Sequence, residues 1–393
     1  METRRDLLSG DPGLRRDDEL EVDKPLAGLR VVELARILAG PWAGQLLADL
    51  GAEVIKVERP GTGDDTRQWG PPFVTGPDGE NLGAAYFHAC NRGKKSVAID
   101  IATHAGQESL RALAADADVL IENFKVGDLA RFGLDHAALS AVNPGLITCS
   151  ITGFGQTGPY ANRAGYDFII QGMGGAMSLT GEPDGAPQKS GVAYADLFTG
   201  LYSTVAILAA LHARERSGQG AHIDMALLDT QVSVLGNQAL NWMVSGVAPR
   251  RMGNGHANLV PYQAFAVADG EVIVAVGNDG QFERLCALLG LDALARDERF
   301  ATNPARVANR AALLPMLQEA MSERGRAEFS EALEVAGIPA GPINDVNAVF
   351  ADPQVVDRGL RLELDGVPGL ASPIVIDGKR QVAEGASPKL PES

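Results

Sequence analysis

The residues with most chemical promise in this sequence are one aspartate and a set of cations. Asp196 stands in Ser190-Gly-Val-Ala-Tyr-Ala-Asp-Leu-Phe-Thr-Gly200, directly ahead of a long apolar run. A carboxylate there can cap a helix, satisfying its unpaired N–H groups and favouring its dipole. It can equally act as a nucleophile, with small residues on either side leaving room for another molecule. Spacing alone leaves both readings open. Arg59 and Arg67 follow one β-branched run, Arg92, Lys94 and Lys95 precede another, and Lys125 and Arg131 follow a third. In an open α/β sheet the ligand crevice lies at the carboxyl ends of the strands, so these cations either converge on a polyphosphate or remain solvated surface charges. Cys90, Cys149 and Cys286 are far apart among apolar neighbours, which reads as buried thiols of a reduced, cytoplasmic chain. The histidines form no ligand-spaced pair, so no metal is expected.

The elements that must position these groups follow from pattern. Leu29–Leu34 reads as a strand, Gly40-Pro41 as the first turn of a helix ending near Gly51, and Glu53–Glu58 as a second strand. That βαβ unit recurs, with a helix near Gly106–Ala115 and strands over Asp118–Glu122 and Leu146–Thr152, which predicts a parallel sheet faced by helices. Asp196–Ala213 reads as a long helix, Ala221–Ala226 as a strand, and Leu228–Val244 as a second buried helix. After the Gly253–Pro261 loop a separate α+β stretch begins at Glu271–Val276, with helices near Gln281–Leu289, Arg310–Met321 and Ala327–Ala336. Gly337–Pro342 reads as a linker. The division expected is a disordered leader over 1–24, a first domain over 25–225, a small domain with its linker over 226–336, and a return to the first domain over 337–393.

Composition and missing motifs narrow the function. With 34 Lys+Arg against 50 Asp+Glu the net charge is −16, which disfavours nucleic acid as a partner. Apolar residues at 45% and charged residues at 21% suit a soluble globular protein, and no run of eighteen apolar residues suggests a membrane span. The leader has neither the apolar core of a signal peptide nor the acid-poor character of a transit sequence. Ala39-Gly-Pro-Trp-Ala-Gly44 lacks Gly-x-Gly-x-x-Gly and sets a bulky Pro-Trp where pyrophosphate would approach, arguing against a dinucleotide oxidoreductase. No P-loop and no Gly-x-Ser-x-Gly elbow is present, so chemistry without a nucleoside triphosphate is expected.

Several ordered blocks carry a resemblance: Pro25-Leu-Ala-Gly-Leu-Arg-Val-Val-Glu-Leu34, Ala39-Gly-Pro41, Leu50-Gly-Ala-Glu-Val-Ile-Lys-Val-Glu-Arg-Pro-Gly61, Asn91-Arg-Gly-Lys-Lys-Ser96, Ile121-Glu-Asn-Phe124 and Tyr194-Ala-Asp-Leu-Phe-Thr-Gly200. From about Pro25 to Leu360 the chain resembles the family III CoA-transferases, the group of the formyl-CoA, carnitine and succinate-dependent dicarboxylate CoA-transferases. The resemblance implies an α/β fold with a Rossmann-like large domain built from both chain ends, a smaller α+β domain between, and an interlocked homodimer. It implies that Asp196, ionised at neutral pH, carries the acyl group and then CoA, with acyl-CoA and carboxylic acids as the small-molecule partners. Coenzyme A is then expected along Ile37, Leu38, Arg59, Ile99, Asn123, Phe124, Lys125 and Arg131, cations on phosphates and apolar groups along the adenine and pantetheine arm. The related α-methylacyl-CoA racemase uses a His where this chain has Tyr166, a poor base near neutrality, and a glutamate that corresponds to Asp279. The glycine run of the formyl-CoA enzymes is missing, with Gly253-Asn-Gly-His-Ala-Asn258 in its place, which argues against formate and oxalate. The nearest likeness is to the succinyl-CoA-dependent dicarboxylate enzymes. Arg36, Arg92 and His256 are candidates to grip a distal carboxylate, and Tyr166 is grouped with them at the substrate site. A non-catalytic CoA-binding protein would be expected to lack Asp196.

Overall fold

The computed structural model describes residues 24–391, so the expected leader lies outside the described residues except for Lys24. Six strands, β1 (Arg30–Glu33), β2 (Glu53–Glu58), β3 (Lys95–Ala98), β4 (Val119–Glu122), β5 (Ile147–Thr152) and β6 (His222–Ala226), form one all-parallel sheet in the order β3-β2-β1-β4-β5-β6. Their apolar residues run consecutively instead of alternating: Val31, Val32, Val119, Leu120, Ile121, Ile147 and Ile151 are all buried. A parallel strand covered on both faces requires that pattern. The covering helices include α1 (Ala39–Asp49), α2 (His104–Ala115), α3 (Asp167–Met173) and α4 (Tyr194–Ser217). Strand order reverses between β1 and β4, and such a switch opens a crevice at the carboxyl ends of the strands.

The long helix expected from Asp196 begins two residues earlier, at Tyr194, and stops where Gly218 adopts φ +68°. By length and composition α4 could cross a bilayer. Here one of its faces lies on α1: a Cβ at Gly200 would come 2.6 Å from the Ala39 carbonyl oxygen and 3.0 Å from the Trp42 side chain. The room that Gly200 makes is therefore for α1. The single buried helix expected over Leu228–Val244 is instead two, α5 (Leu227–Ser233) and α6 (Asn237–Ser245), broken at Gly236 with φ +53°. α5 packs on α3 and α4, whereas α6 turns Leu240, Trp242, Met243 and Val244 outward, Val244 being 85% exposed.

The smaller unit is an antiparallel sheet of β7 (Tyr262–Val267), β8 (Gly270–Ala275) and β9 (Ala340–Pro342), covered by α7 (Asp279–Leu289), α8 (Arg310–Met321) and α9 (Arg326–Val335). Its core runs from Val260 to Ile338, within the stretch expected to hold the linker and small domain except for its last two residues. The expected linker over Gly337–Pro342 contains the edge strand: proline at the end of β9 is tolerated because only one side of an edge strand is paired. After a hairpin of β10 (Arg361–Leu364) and β11 (Val367–Leu370) the chain lies on the first domain, where Ala383 N–H donates to Asp49 (2.8 Å) and Arg67 donates to the Pro388 carbonyl (3.0 Å).

Candidate active site

At the switch point the loops after β1 and β4 are stitched together by one side chain. Asn123 Oδ1 accepts from the Arg36 backbone N–H (3.0 Å) and its Nδ2 donates to the Arg36 carbonyl (2.7 Å). Glu122, buried at the end of β4, accepts the Phe124 N–H (2.7 Å) and so fixes the next residue. Around these loops is a cleft of about 490 Å³, walled by Arg36–Ala39, Asp65, Trp69, Asn123–Val126, Asp128, Ile151–Gly153, Ala161–Tyr166, Leu227 and Asp196. Gly153 and Gly165 cross so closely that a Cβ on either would stand 2.6 Å from the other's Cα, which lets the 161–166 loop close one wall.

Asp196 reaches this cleft from the first turn of α4, and it is not the cap. The N-cap position is Ala193, which has no side-chain acceptor, and the capping is done from α3. Asp167 Oδ1 accepts from the N–H groups of Ala195 (3.0 Å) and Asp196 (3.3 Å), while Oδ2 accepts from Gln171 Nε2 (2.7 Å). Relieved of capping, the Asp196 carboxylate can face the cleft. Burial, and then the nearby Asp167 charge, push it up to about 7. The shift runs against the expectation of a fully ionised carboxylate at neutral pH, since burial and Asp167 both favour the protonated form. Tyr86 faces the same region, its phenol pushed up to about 12 by burial and by the charge of Asp196, so it is a hydrogen-bond donor at neutral pH. Its ring meets Trp69 edge-on at 5.3 Å.

The structure gathers part of the sequence-derived set. Ile37, Leu38, Asn123, Phe124, Lys125, Arg36 and Tyr166 share the cleft with Asp196. Ile99 is outside the cleft wall and packs, like Phe124, against the apolar cluster beneath the sheet's carboxyl edge. Arg59 and Arg131 are exposed on the same carboxyl edge outside the cleft wall, with Arg131 3.3 Å from Asp128. Arg36 is 2.6 Å from Asp65 and half-exposed, so it presents a partly neutralised cation.

Three cations do not fit their expected roles. Arg92 is a correction: its side chain is 7% exposed, forks onto Asp49 at 2.7 and 2.9 Å, and also donates to the Leu370 carbonyl, leaving nothing for a substrate. Arg67 is likewise committed to Glu58, and Lys94 to Glu33, so neither joins a phosphate site. His256 is a second correction for the isolated subunit. Its Nδ1 accepts from the Asn258 N–H (3.0 Å) and its ring lies 5.0 Å from Tyr262, away from the cleft wall.

Sequence reasoning missed Asp167, Trp69, Tyr86 and Arg163. Arg163 lines the cleft with its guanidinium 4.5 Å above the Tyr160 ring, but it stands well past a strand end and so carries no positional signal in the sequence. The Asp in Gly165-Tyr-Asp-Phe168 was the only available hint of a second carboxylate near Asp196. Among the described residues no three His, Cys, Asp or Glu side chains are gathered as a metal ion would require.

The pattern of CoA-transferase family III matches residues 26–392, and the chain belongs to that family. It is 56% identical to the succinate–glutarate CoA-transferase of Agrobacterium fabrum, over 94% of this chain and 93% of that protein. With the succinyl-CoA:glutarate CoA-transferase of Mus musculus it shares 43% identity over 98% and 88% of the two chains. The crystal structure of a CaiB/BaiF family protein from Brucella suis matches with a TM-score of 0.84 at 60% identity, covering 94% of this chain and 97% of that one. The protein is an enzyme of CoA transfer on a mixed α/β fold with a parallel central sheet.

Proposed function

We propose that this enzyme moves CoA from succinyl-CoA to a second dicarboxylate, with glutarate as acceptor, by way of Asp196. One observation carries the role of Asp196: of the aspartates that line the cleft, Asp65 is paired with Arg36 and Asp128 with Arg131, whereas among the described residues Asp196 has no cationic partner. A carboxylate poised by burial and left unpaired is suited to attack. Attack of its oxygen on the thioester carbon forms a mixed anhydride and breaks the C–S bond, releasing CoA thiolate. The thiolate adds to the Asp196 carbonyl carbon, the anhydride C–O bond breaks, and succinate leaves. Glutarate then attacks the aspartyl-CoA thioester, forming a second anhydride and thiolate, and the thiolate takes the glutaryl group to restore Asp196. The thioester is conserved throughout, so no triphosphate is required.

The cations left for the nucleotide end of CoA are Lys125 at the cleft and Arg59 and Arg131 beside it, and Arg163 with Arg36 remains for carboxylates. The identities of the relatives support glutarate over other acids. The reading includes a homodimer: Tyr166, Phe168 and Ile169 beside α4, and Leu201, Tyr202 and Val205 upon it, are exposed apolar side chains of the kind a partner surface would cover. A second copy is also the remaining route by which a His256 could reach a cleft. The free, buried cysteines support the reading of a reducing, cytoplasmic setting. The test is formation of glutaryl-CoA and succinate from succinyl-CoA and glutarate, with oxalate and formate as competing acceptors. Loss of turnover in Asp196→Ala with CoA binding retained supports the reading; retained turnover removes it.

A further inference from the structure

The loop carrying Arg36, Ile37 and Leu38 rests on four charged side chains that have no solvent exposure. Lys56 Nζ lies 3.0 Å from Glu33 and 3.0 Å from Asp64, and Lys94 Nζ lies 2.7 Å from the other oxygen of Glu33. The network grips backbone at both ends of the loop. Lys56 donates to the Ala35 carbonyl (2.9 Å), Lys94 donates to the Pro41 carbonyl (2.8 Å), and Asp64 Oδ1 accepts the Ile37 N–H (3.3 Å). Asp64 is itself held by the N–H (3.0 Å) and hydroxyl (2.8 Å) of Thr66. The helix above makes room: a Cβ at Gly44 would overlap the Glu33 carboxylate.

Inside this bracket Ile37 has φ +75°. A β-branched residue rarely adopts the left-handed region, and it persists there only where its surroundings over-determine it. Buried ionic networks are seldom more stabilising than well-packed apolar side chains, so stability alone does not account for four such charges. Lys56, Asp64 and Lys94 each bond a backbone group of the strained loop or of the start of α1, and that loop is a wall of the cleft shared with Asp196.

We propose that Asp64 is a positioning residue for CoA transfer: braced by Lys56, it holds Ile37 in the left-handed conformation and so sets Leu38 and the start of α1 against the acyl-CoA. The inference rests on the transferase reading, and the Asp196→Ala control tests that reading separately.

The test is a double-mutant cycle between residues 64 and 37. Glycine adopts a positive φ without strain, so in an Ile37→Gly background the clamp has less to hold. Asp64→Ala is expected to lower kcat/KM for succinyl-CoA by about tenfold or more in the native background and by less than about threefold in the Ile37→Gly background. Asp64→Asn keeps the acceptor oxygen and is expected to recover part of the loss. Circular dichroism and thermal melting establish that each variant is folded. If Asp64→Ala does not fold, Thr66→Val, which removes one of the bonds to Asp64, replaces it in the same cycle. An equal penalty in both backgrounds would overturn the proposal and leave Asp64 a purely structural residue.

Discussion

Asp196 is held at odds with its own solvation, and that has consequences for both rate and stability. Its carboxyl is pushed up to about 7 by burial and by Asp167, so the anion that the proposed mechanism needs is lost as pH falls through that value. In the free enzyme kcat/KM for succinyl-CoA should drop about tenfold per pH unit below about pH 6 and level off above about pH 8. Asp167→Asn keeps an acceptor for the start of α4 and removes a charge, so the midpoint of this profile should move to lower pH. The stability effect has the opposite sign. A folded pKa raised above the unfolded value gives stability that is present at low pH and lost as pH rises through about 7. Asp196→Asn should accordingly melt at higher temperature than the native enzyme at pH 8, with the gap narrowing as pH falls and closing only below about pH 4. Arg92 makes the contrasting case. Its Asp49 partner has no exposed side chain, so Arg92→Met should cost about 3–5 kcal/mol in urea unfolding, with KM for the acceptor little changed. Asp196 was singled out in the sequence by the motif around it, and the structure places it in the cleft. Arg92 was misread because a buried ion pair and a substrate clamp demand the same residue type, and only the location of Asp49 distinguishes them.

At the scale of elements, the active site is a product of where helices start. α1 and α4 begin side by side because Gly200 has no side chain, and Asp196 lies one turn before Gly200 on the same face. Gly200→Ala should destabilise the fold by about 1–3 kcal/mol, since the contact is with the Ala39 carbonyl and backbone cannot move aside cheaply. It should also lower kcat by shifting the nucleophile, and urea midpoints with steady-state rates would show both. The strands were readable from their consecutive β-branched and apolar residues, whereas of the cations singled out at their ends only Lys125 lines the crevice. Misreadings fell where local pattern is ambiguous. An apolar run over Leu228–Val244 looks the same whether it faces a core or a partner, and Gly337–Pro342 has the composition of a linker although it supplies an edge strand.

On the scale of the whole molecule, α3, α4 and α6 expose apolar side chains that the proposed dimer would cover. Trp242, Met243 and Val244 project from α6, and Leu201, Tyr202 and Val205 from the free side of α4. Equilibrium sedimentation is expected to give a dimer, and Trp242→Glu with Val244→Glu should weaken it and lower specific activity on dilution. A stable monomer with full activity would remove the dimer from the account. The domain arrangement was only partly legible, because contacts such as Ala383 on Asp49 join residues far apart in sequence and leave no local periodicity to read.

The central claim is that Asp196 carries CoA as a covalent thioester. Peptide mass spectrometry after brief exposure to succinyl-CoA, with a parallel sample quenched in hydroxylamine, tests it most directly. A CoA adduct confined to the peptide containing Asp196 is expected, with its conversion to a hydroxamate at that residue and neither product in Asp196→Ala. Turnover of succinyl-CoA and glutarate with no adduct or hydroxamate on that peptide would contradict it.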